Sequence, residues 1–468
     1  MMTPIWRQDA CDLAAAYRAG TATPVEAVQM FLDRIRRLDP VVNAFVALNP
    51  AAEAEAEASA DRLTRGEPLG PLDGIPIAIK DNLVVAGMPA AWGSRVFADR
   101  TWTEDELPVR RLRAAGAIVI GKTNVPEFAV EGYTGNALFG VTRNPWNPDL
   151  TPGGSSGGAV AAVAAGLVSA AVGTDGGGSI RRPAGYCGLV GLKPTLGRVA
   201  RVGGLPQILL DFEVVGPLTR SVRDARLIFR TLAGADRADP SSRGAVATAR
   251  HNRSLRILRV DRLGDAPCDP GILHSLADAA EAFNELGHAV EEGALPFDLG
   301  PLNAFWSTIA EVGLARMRAE IPEMSVAGAK YLAMAESGEG APAHVFAAGL
   351  ADIRNLRRAV SQAFGEWDLI LTPTAAAMPW PAEAAYPDRI AGQAVGPRGH
   401  AVYTGWVNAC GHPAIALPAA PSSDGLPIGI QLVGDLGADE LLLDVAAAYE
   451  KRRPWATRAP DLAAVLTG

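Results

Sequence analysis

The chain has 468 residues, 49% of them hydrophobic, which is enough to enclose a large core and, by length alone, more than one domain. A formal charge of −8 and an isoelectric point near 5.4 leave no basic field for nucleic acid, and no block of like charges stands out. The four cysteines, Cys11, Cys187, Cys268 and Cys410, are scattered without a C-x-x-C pair or clustered histidines, which argues against a disulfide framework and a metal site and fits a reducing cytoplasm.

Residues 1–13 carry Arg7, Asp9 and Asp12 and lack the apolar run of a secretory signal, so a cytoplasmic location is expected. The N-terminal region reads as helical. Thr23 is an N-cap, Pro24 takes the first helical position, Glu26 completes a capping box, and Val28, Phe31, Leu32, Ile35 and Leu38 recur at helical spacing. A further, alanine-rich helix is expected over 51–63. The texture then changes to short β-like runs at 76–79 and 117–120, with a helix predicted over 107–115, and strands alternating with helices imply an α/β sheet with a parallel portion.

Residues 157–173 carry no charge and approach the length of a bilayer-spanning helix, but they are mostly alanine and glycine. Small residues of this kind fit a buried helix with close backbone neighbours, so no membrane association is expected. Beyond them, 236–254, 337–342 and 380–400 read as surface connections. Strands are predicted at 369–371 and 428–433 and a last helix near 440–449. No internal repeat and no boundary divides the chain.

Two short patterns match familiar motifs. Gly116 to Thr123 satisfies G-x-x-x-x-G-K-T, yet 117–120 is a β-branched run and Pro126 follows, where a phosphate loop must curl and enter a helix. Gly153-Gly154-Ser155-Ser156-Gly157 satisfies the G-x-S-x-G elbow of α/β-hydrolases, which would make Ser155 the nucleophile of an esterase with His400 or His412 as partner. That elbow needs a strand before it, and the prolines of 147–152 oppose one.

A longer pattern carries more. T-P-G-G-S-S-G-G (151–158), G-T-D-G-G-G-S-I-R (173–181) and G-L-V-G-L-K-P-T (188–195) follow G-I-P-I-A-I-K-D (74–81). Two glycine loops joined by a small-residue segment present serine hydroxyls and backbone N–H groups at a fixed separation. These segments resemble the signature stretch and lysine strand of the amidase signature family, and Asn144, Asn408, Gly411, Pro413 and 425–434 resemble further landmarks of it. The resemblance implies a single large α/β domain over 1–468 with a central twisted mixed sheet flanked by helices, its core at about 70–200 and the N-terminal helices of 1–65 packed on it.

Residue by residue, the resemblance implies Ser179 as nucleophile, Ser155 as relay on a cis peptide, Lys80 as base and Ser156 as a structural neighbour. The N–H groups of Gly176, Gly177, Gly178 and Ser179 would form the oxyanion hole, because glycines let the main chain approach a substrate without a Cβ. Asp175 would hold the turn, and Arg181 would brace it. Arg182 reads as either a grip for a substrate carboxylate or a structural salt bridge. Lysine acts as a base only when held neutral, and Asp81, next along an extended segment, should face away from Lys80. Tyr133, Phe139, Tyr403 and Trp406 would line an apolar pocket for a small aryl or alkyl amide, a carbamate or a hydrazide, or else fill the core.

No cofactor is implied, and a homodimer is compatible with this reading. The close alternative is the glutaminase subunit of a tRNA-dependent amidotransferase. There an acidic residue helps to bind glutamine at a position where this chain has Ala401.

Overall fold

The apolar runs assemble into one eleven-stranded sheet. A computed structural model describes residues 4–244, 253–455, 458–460 and 462. The strands are β1 (Phe45–Leu48), β2 (Pro76–Lys80), β3 (Ile118–Thr123), β4 (Ala170–Asp175), β5 (Val190–Lys193), β6 (Val214–Thr219), β7 (Arg256–Arg259), β8 (Ala289–Glu292), β9 (Leu369–Pro373), β10 (Ala414–Pro418) and β11 (Gly429–Gly434). Their order is β1-β3-β2-β4-β6-β5-β10-β11-β9-β7-β8. β2 runs parallel to β3 and β4, and β7 parallel to β8 and β9, while the other neighbours are antiparallel, so the sheet is mixed.

Strands β2 to β6 and β9 to β11 are buried at every residue, which is why they read as continuous apolar runs without alternation. The two edges, β1 and β8, are the most exposed strands.

Four helices precede the serine loops: α1 (Ala10–Ala19), α2 (Pro24–Val42), α3 (Ala52–Arg65) and α4 (Leu107–Ala114). The capping box forms, with Thr23 Oγ1 accepting from Glu26 N at 3.2 Å and Thr23 N donating to Glu26 Oε2 at 2.8 Å, a cap worth about 0.5–2 kcal/mol. Next come α5 (Gly157–Ala164), α6 (Arg181–Cys187) and α7 (Val222–Leu232), followed by α8 (Pro270–Glu285), α9 (Gly300–Glu320), α10 (Ala329–Glu339), α11 (Ala343–Ala363), α12 (Gly405–Cys410) and α13 (Asp439–Arg452). Helix α5 lies on β4, α7 on β6, and α13 on β10 and β11.

Two expectations are corrected. Residues 157–173 are a short helix followed by a turn and the start of β4, since small residues satisfy either period equally well. Residues 337–342 are the end of α10 and a brief link to α11. Within 236–254, a 3₁₀ turn occupies Pro240–Gly244, and 245–252 lie outside the described residues. The 380–400 segment is a loop containing only the small hairpin of Arg389–Ile390 with Gln393–Ala394. Among the described residues no helix is long and apolar enough to cross a membrane.

Candidate active site

Strand β2 enters the interior as Pro-Ile-Ala-Ile and delivers Lys80 at its end with no exposed surface. The ammonium is surrounded by oxygens that carry no charge. Its Nζ lies 2.8 Å from Ser155 Oγ, 2.9 Å from Thr174 Oγ1 and 3.3 Å from Thr174 O. Asn82 Nδ2 also donates to Thr174 Oγ1 at 2.9 Å, fixing that hydroxyl. Burial pulls Lys80 down to about 7; the charges of Glu213 and Asp175 oppose this, and those of Arg201 and Arg182 add to it. Asp81 faces the other side of the strand, as its place in an extended segment requires, and pairs with Lys122 at 3.3 Å.

Ser155 follows a cis peptide bond from Gly154, one residue before the N-cap of α5. Ser156 ties the two glycine loops together. Its N donates to Ser179 O at 3.2 Å and its Oγ to Thr174 O at 3.1 Å, so the loop carrying Ser155 is held against the turn carrying Ser179. Close approach is possible because β4 has glycine beside Ser156: a Cβ on Gly173 would meet Ser156 Cβ at 3.2 Å. Ser179 sits between β4 and α6 and keeps a little surface exposure, whereas Ser155, Ser156 and Lys80 have almost none.

The turn is built on Asp175. Its carboxylate accepts from Gly178 N at 2.6 Å and Ile180 N at 3.1 Å, and from Arg181 Nε and Nη2, each at 2.9 Å. Burial alone would raise this carboxyl, but the Arg181 charge and hydrogen bonds outweigh it and hold Asp175 far below the usual range. Arg181 also donates to Gln431 Oε1 at 3.0 Å and Asn408 Oδ1 at 2.5 Å, and Asn408 Nδ2 donates to Asp175 O at 2.7 Å. The bracing expected of Asp175 and Arg181 is therefore a closed buried network that reaches β11 and α12.

One of the four expected oxyanion donors is corrected. The Gly178 N–H is committed to Asp175, with Gly178 at φ 115, a backbone state open to glycine. Among the described residues, the N–H groups of Gly176, Gly177 and Ser179 have no such partner.

The expected pocket residues separate. Tyr403 is fully buried, its hydroxyl donating to Asp261 O at 2.6 Å, and Trp406 is packed at 5.2 Å from Phe297, so both are core aromatics and not pocket walls. Phe139 lies in the tip of a small hairpin, where its backbone is bonded to Asn43 and Asn136 and to neither serine loop. Tyr133 is half-buried beside Trp380 and Tyr186, and its carbonyl lies where a Cβ on Gly154 would be, so it borders the Ser155 loop. Arg182 makes no salt bridge among the described residues; it donates to Gly177 O and, at 2.9 Å, to Thr404 Oγ1, spanning from the turn to α12.

Sequence reasoning missed Thr404, which accepts from Arg182, and Trp306 of α9, which borders Gly177; both arrive from distant segments and carry no local motif. Gln431 stood inside the 425–434 landmark without a role of its own. Thr174 stood inside the quoted glycine pattern, and its place one residue before Asp175 at the end of β4 was the available signal.

The rival motifs do not assemble. Gly116 to Thr123 runs through β3 with Lys122 spent on Asp81. No strand leads directly into Ser155. His412 stacks on Phe364 with Nδ1 3.1 Å from Gly434 O, and His400 packs on Trp380. Among the described residues no group of histidines, cysteines and acids is placed to hold a metal.

The family model described as Amidase matches residues 26–443. One curated relative, a glutamyl-tRNA(Gln) amidotransferase chain from Alkaliphilus metalliredigens, is 35% identical over 477 residues, covering 94% of this chain and 95% of that protein. Among solved structures, a bacterial aryl acylamidase of the amidase signature enzymes superposes with a TM-score of 0.88 at 30% identity, covering 97% of this chain and 98% of its own. A 6-aminohexanoate cyclic dimer hydrolase complexed with substrate gives the same TM-score of 0.88 and 30% identity, covering 98% and 100%. With its mixed sheet, its paired serine loops and its buried lysine, the chain belongs to the amidase signature family of amide-hydrolysing enzymes.

Proposed function

We propose that the protein cleaves a carboxamide-type C–N bond through an acyl-enzyme on Ser179, with Ser155 and Lys80 relaying the proton. The observation that carries this reading is the 2.8 Å contact of a fully buried Lys80 Nζ with Ser155 Oγ, in surroundings of hydroxyl and carbonyl oxygen. Neutral Lys80 accepts the Ser155 proton while Ser155 accepts that of Ser179, and Ser179 Oγ forms its bond to the carbonyl carbon. The N–H groups of Gly176, Gly177 and Ser179 receive the oxyanion. On collapse the C–N bond breaks, and the proton returns through Ser155 to the departing nitrogen. Water, deprotonated by the same route, then releases the acid and restores Ser179.

The substrate in this reading is a small aryl or alkyl amide, carbamate or hydrazide, handled by the chain alone in the cytoplasm. A second reading, the glutaminase subunit of a tRNA-dependent amidotransferase, has more direct support from the curated relatives, which carry the amidotransferase name at 35–36% identity across nearly the whole chain. Against it, Ala401 stands where glutamine's ammonium would need an acid, and it lies buried in a turn. Glu213 is paired with Arg201, and Glu131 with Lys330. A panel of primary amides, anilides, carbamates and glutamine, read separately for ammonia and for released amine, tests both. Anilide or carbamate cleavage by the lone chain supports the first reading. Ammonia from glutamine only with partner subunits present supports the second.

A further inference from the structure

Two guanidinium groups stand beside the Ser179 turn, and among the described residues neither meets a carboxylate. Arg182 is engaged with Gly177 O and Thr404 Oγ1, and its Nε has no partner. Arg398, immediately before the turn Gly399–Ala401, is exposed, with Cζ 4.2 Å from the centroid of the Trp306 ring. Trp306 comes from α9 and borders the same turn: a Cβ on Gly177 would lie 2.8 Å from Trp306 Cζ2. A Cβ on Gly405 would lie 3.0 Å from Trp306 Cζ3 and 3.2 Å from Arg398 Nη2. The indole thus joins the expected oxyanion loop on one side to a cation on the other.

Carboxylates near the site are already satisfied, Asp175 by Arg181 and Glu213 by Arg201. Comparable arginines elsewhere find acids, as Arg62 does with Asp73 and Arg259 with Asp261. Arg398 departs from that pattern, across the Trp306 ring from the expected oxyanion loop. A guanidinium keeps its proton at neutral pH.

We propose that Arg398, held over Trp306, binds a carboxylate carried by the amide substrate and thereby selects substrates with a negative charge a few bonds from the scissile carbonyl. A guanidinium held over an indole keeps its N–H donors, and their fork fits a carboxylate with two parallel hydrogen bonds. Arg182 adds a second positive charge behind the site. This inference rests on Ser179 chemistry for the turnover it predicts, and deepens that reading by naming the substrate class.

The test compares kcat/KM for succinamate, glutaramate and adipamate with that for butanamide, pentanamide and hexanamide, in the wild-type protein, Arg398→Gln and Arg398→Lys. The expected result is a wild-type preference for the charged member of at least one pair. Arg398→Gln should reduce that preference by about 10- to 100-fold, chiefly through KM, and Arg398→Lys should restore part of it. A preference unchanged in Arg398→Gln, or a wild-type preference for the neutral amide at every chain length, overturns the proposal. If no amide of either kind is turned over, the hydrolytic reading rests on the anilide, carbamate and glutamine panel, and calorimetry with glutarate decides the inference. Binding to the wild type that Arg398→Gln weakens supports it; equal binding, or none, overturns it.

Discussion

The ends of β2 and β5 each bury a lysine, and burial pulls both Lys80 and Lys193 down to about 7. Their neighbours differ. Lys80 Nζ contacts two hydroxyl oxygens, Ser155 Oγ and Thr174 Oγ1, whereas Lys193 Nζ donates to the carbonyls of His412 at 2.6 Å and Pro194 at 3.0 Å. A carbonyl has no proton to give, so a neutral Lys193 has nothing to deprotonate. A lowered pKa therefore does not by itself single out a base; in the proposed relay, contact with an ionisable hydroxyl does. The third buried lysine, Lys122, sharpens the contrast, because it has a carboxylate partner in Asp81.

The largest expected effect separates Lys80 from the other two. Lys80→Met should lower kcat/KM by about 100- to 10,000-fold with thermal stability retained, since no carboxylate loses its partner; steady-state kinetics beside a thermal melt checks this. Lys122→Met should do the reverse. It leaves Asp81 buried and unpaired, a loss of about 3–5 kcal/mol in denaturant unfolding, while the folded protein keeps its acidic limb.

That limb is the next prediction. Lys80 must be neutral to act, so kcat/KM should rise about tenfold per pH unit below its lowered pKa and level off above it, near 7. Because Lys193 is lowered to the same region, the limb needs assignment. Lys193→Met should leave it in place and cost about 1–3 kcal/mol of stability through the unsatisfied carbonyls, the smallest effect of the set. A limb that moves with Lys193 would break the comparison.

The same physics explains what was legible in the sequence. The serine loops and Lys80 depend on backbone approach and local order, so Gly-Gly-Ser-Ser-Gly and Gly-Gly-Gly-Ser stand out in a single chain, and the sheet's buried strands show as apolar runs. Three-dimensional commitment of individual groups does not show. The Gly178 N–H looks as free as its neighbours until Asp175 is seen to accept it. Tyr403 and Trp406 have the chemistry of a pocket wall, but burial, not residue type, decides that role. Trp306 and Arg398 come from segments far from the glycine loops, and only folding brings them to the Ser179 turn.

Intact and peptide mass spectrometry of a reaction quenched during turnover tests the nucleophile most directly. The acyl group should be found on Ser179, and Ser179→Ala should show neither adduct nor turnover, a loss of about 10,000-fold or more. An acyl group on Ser155, or substantial activity in Ser179→Ala, would contradict the relay.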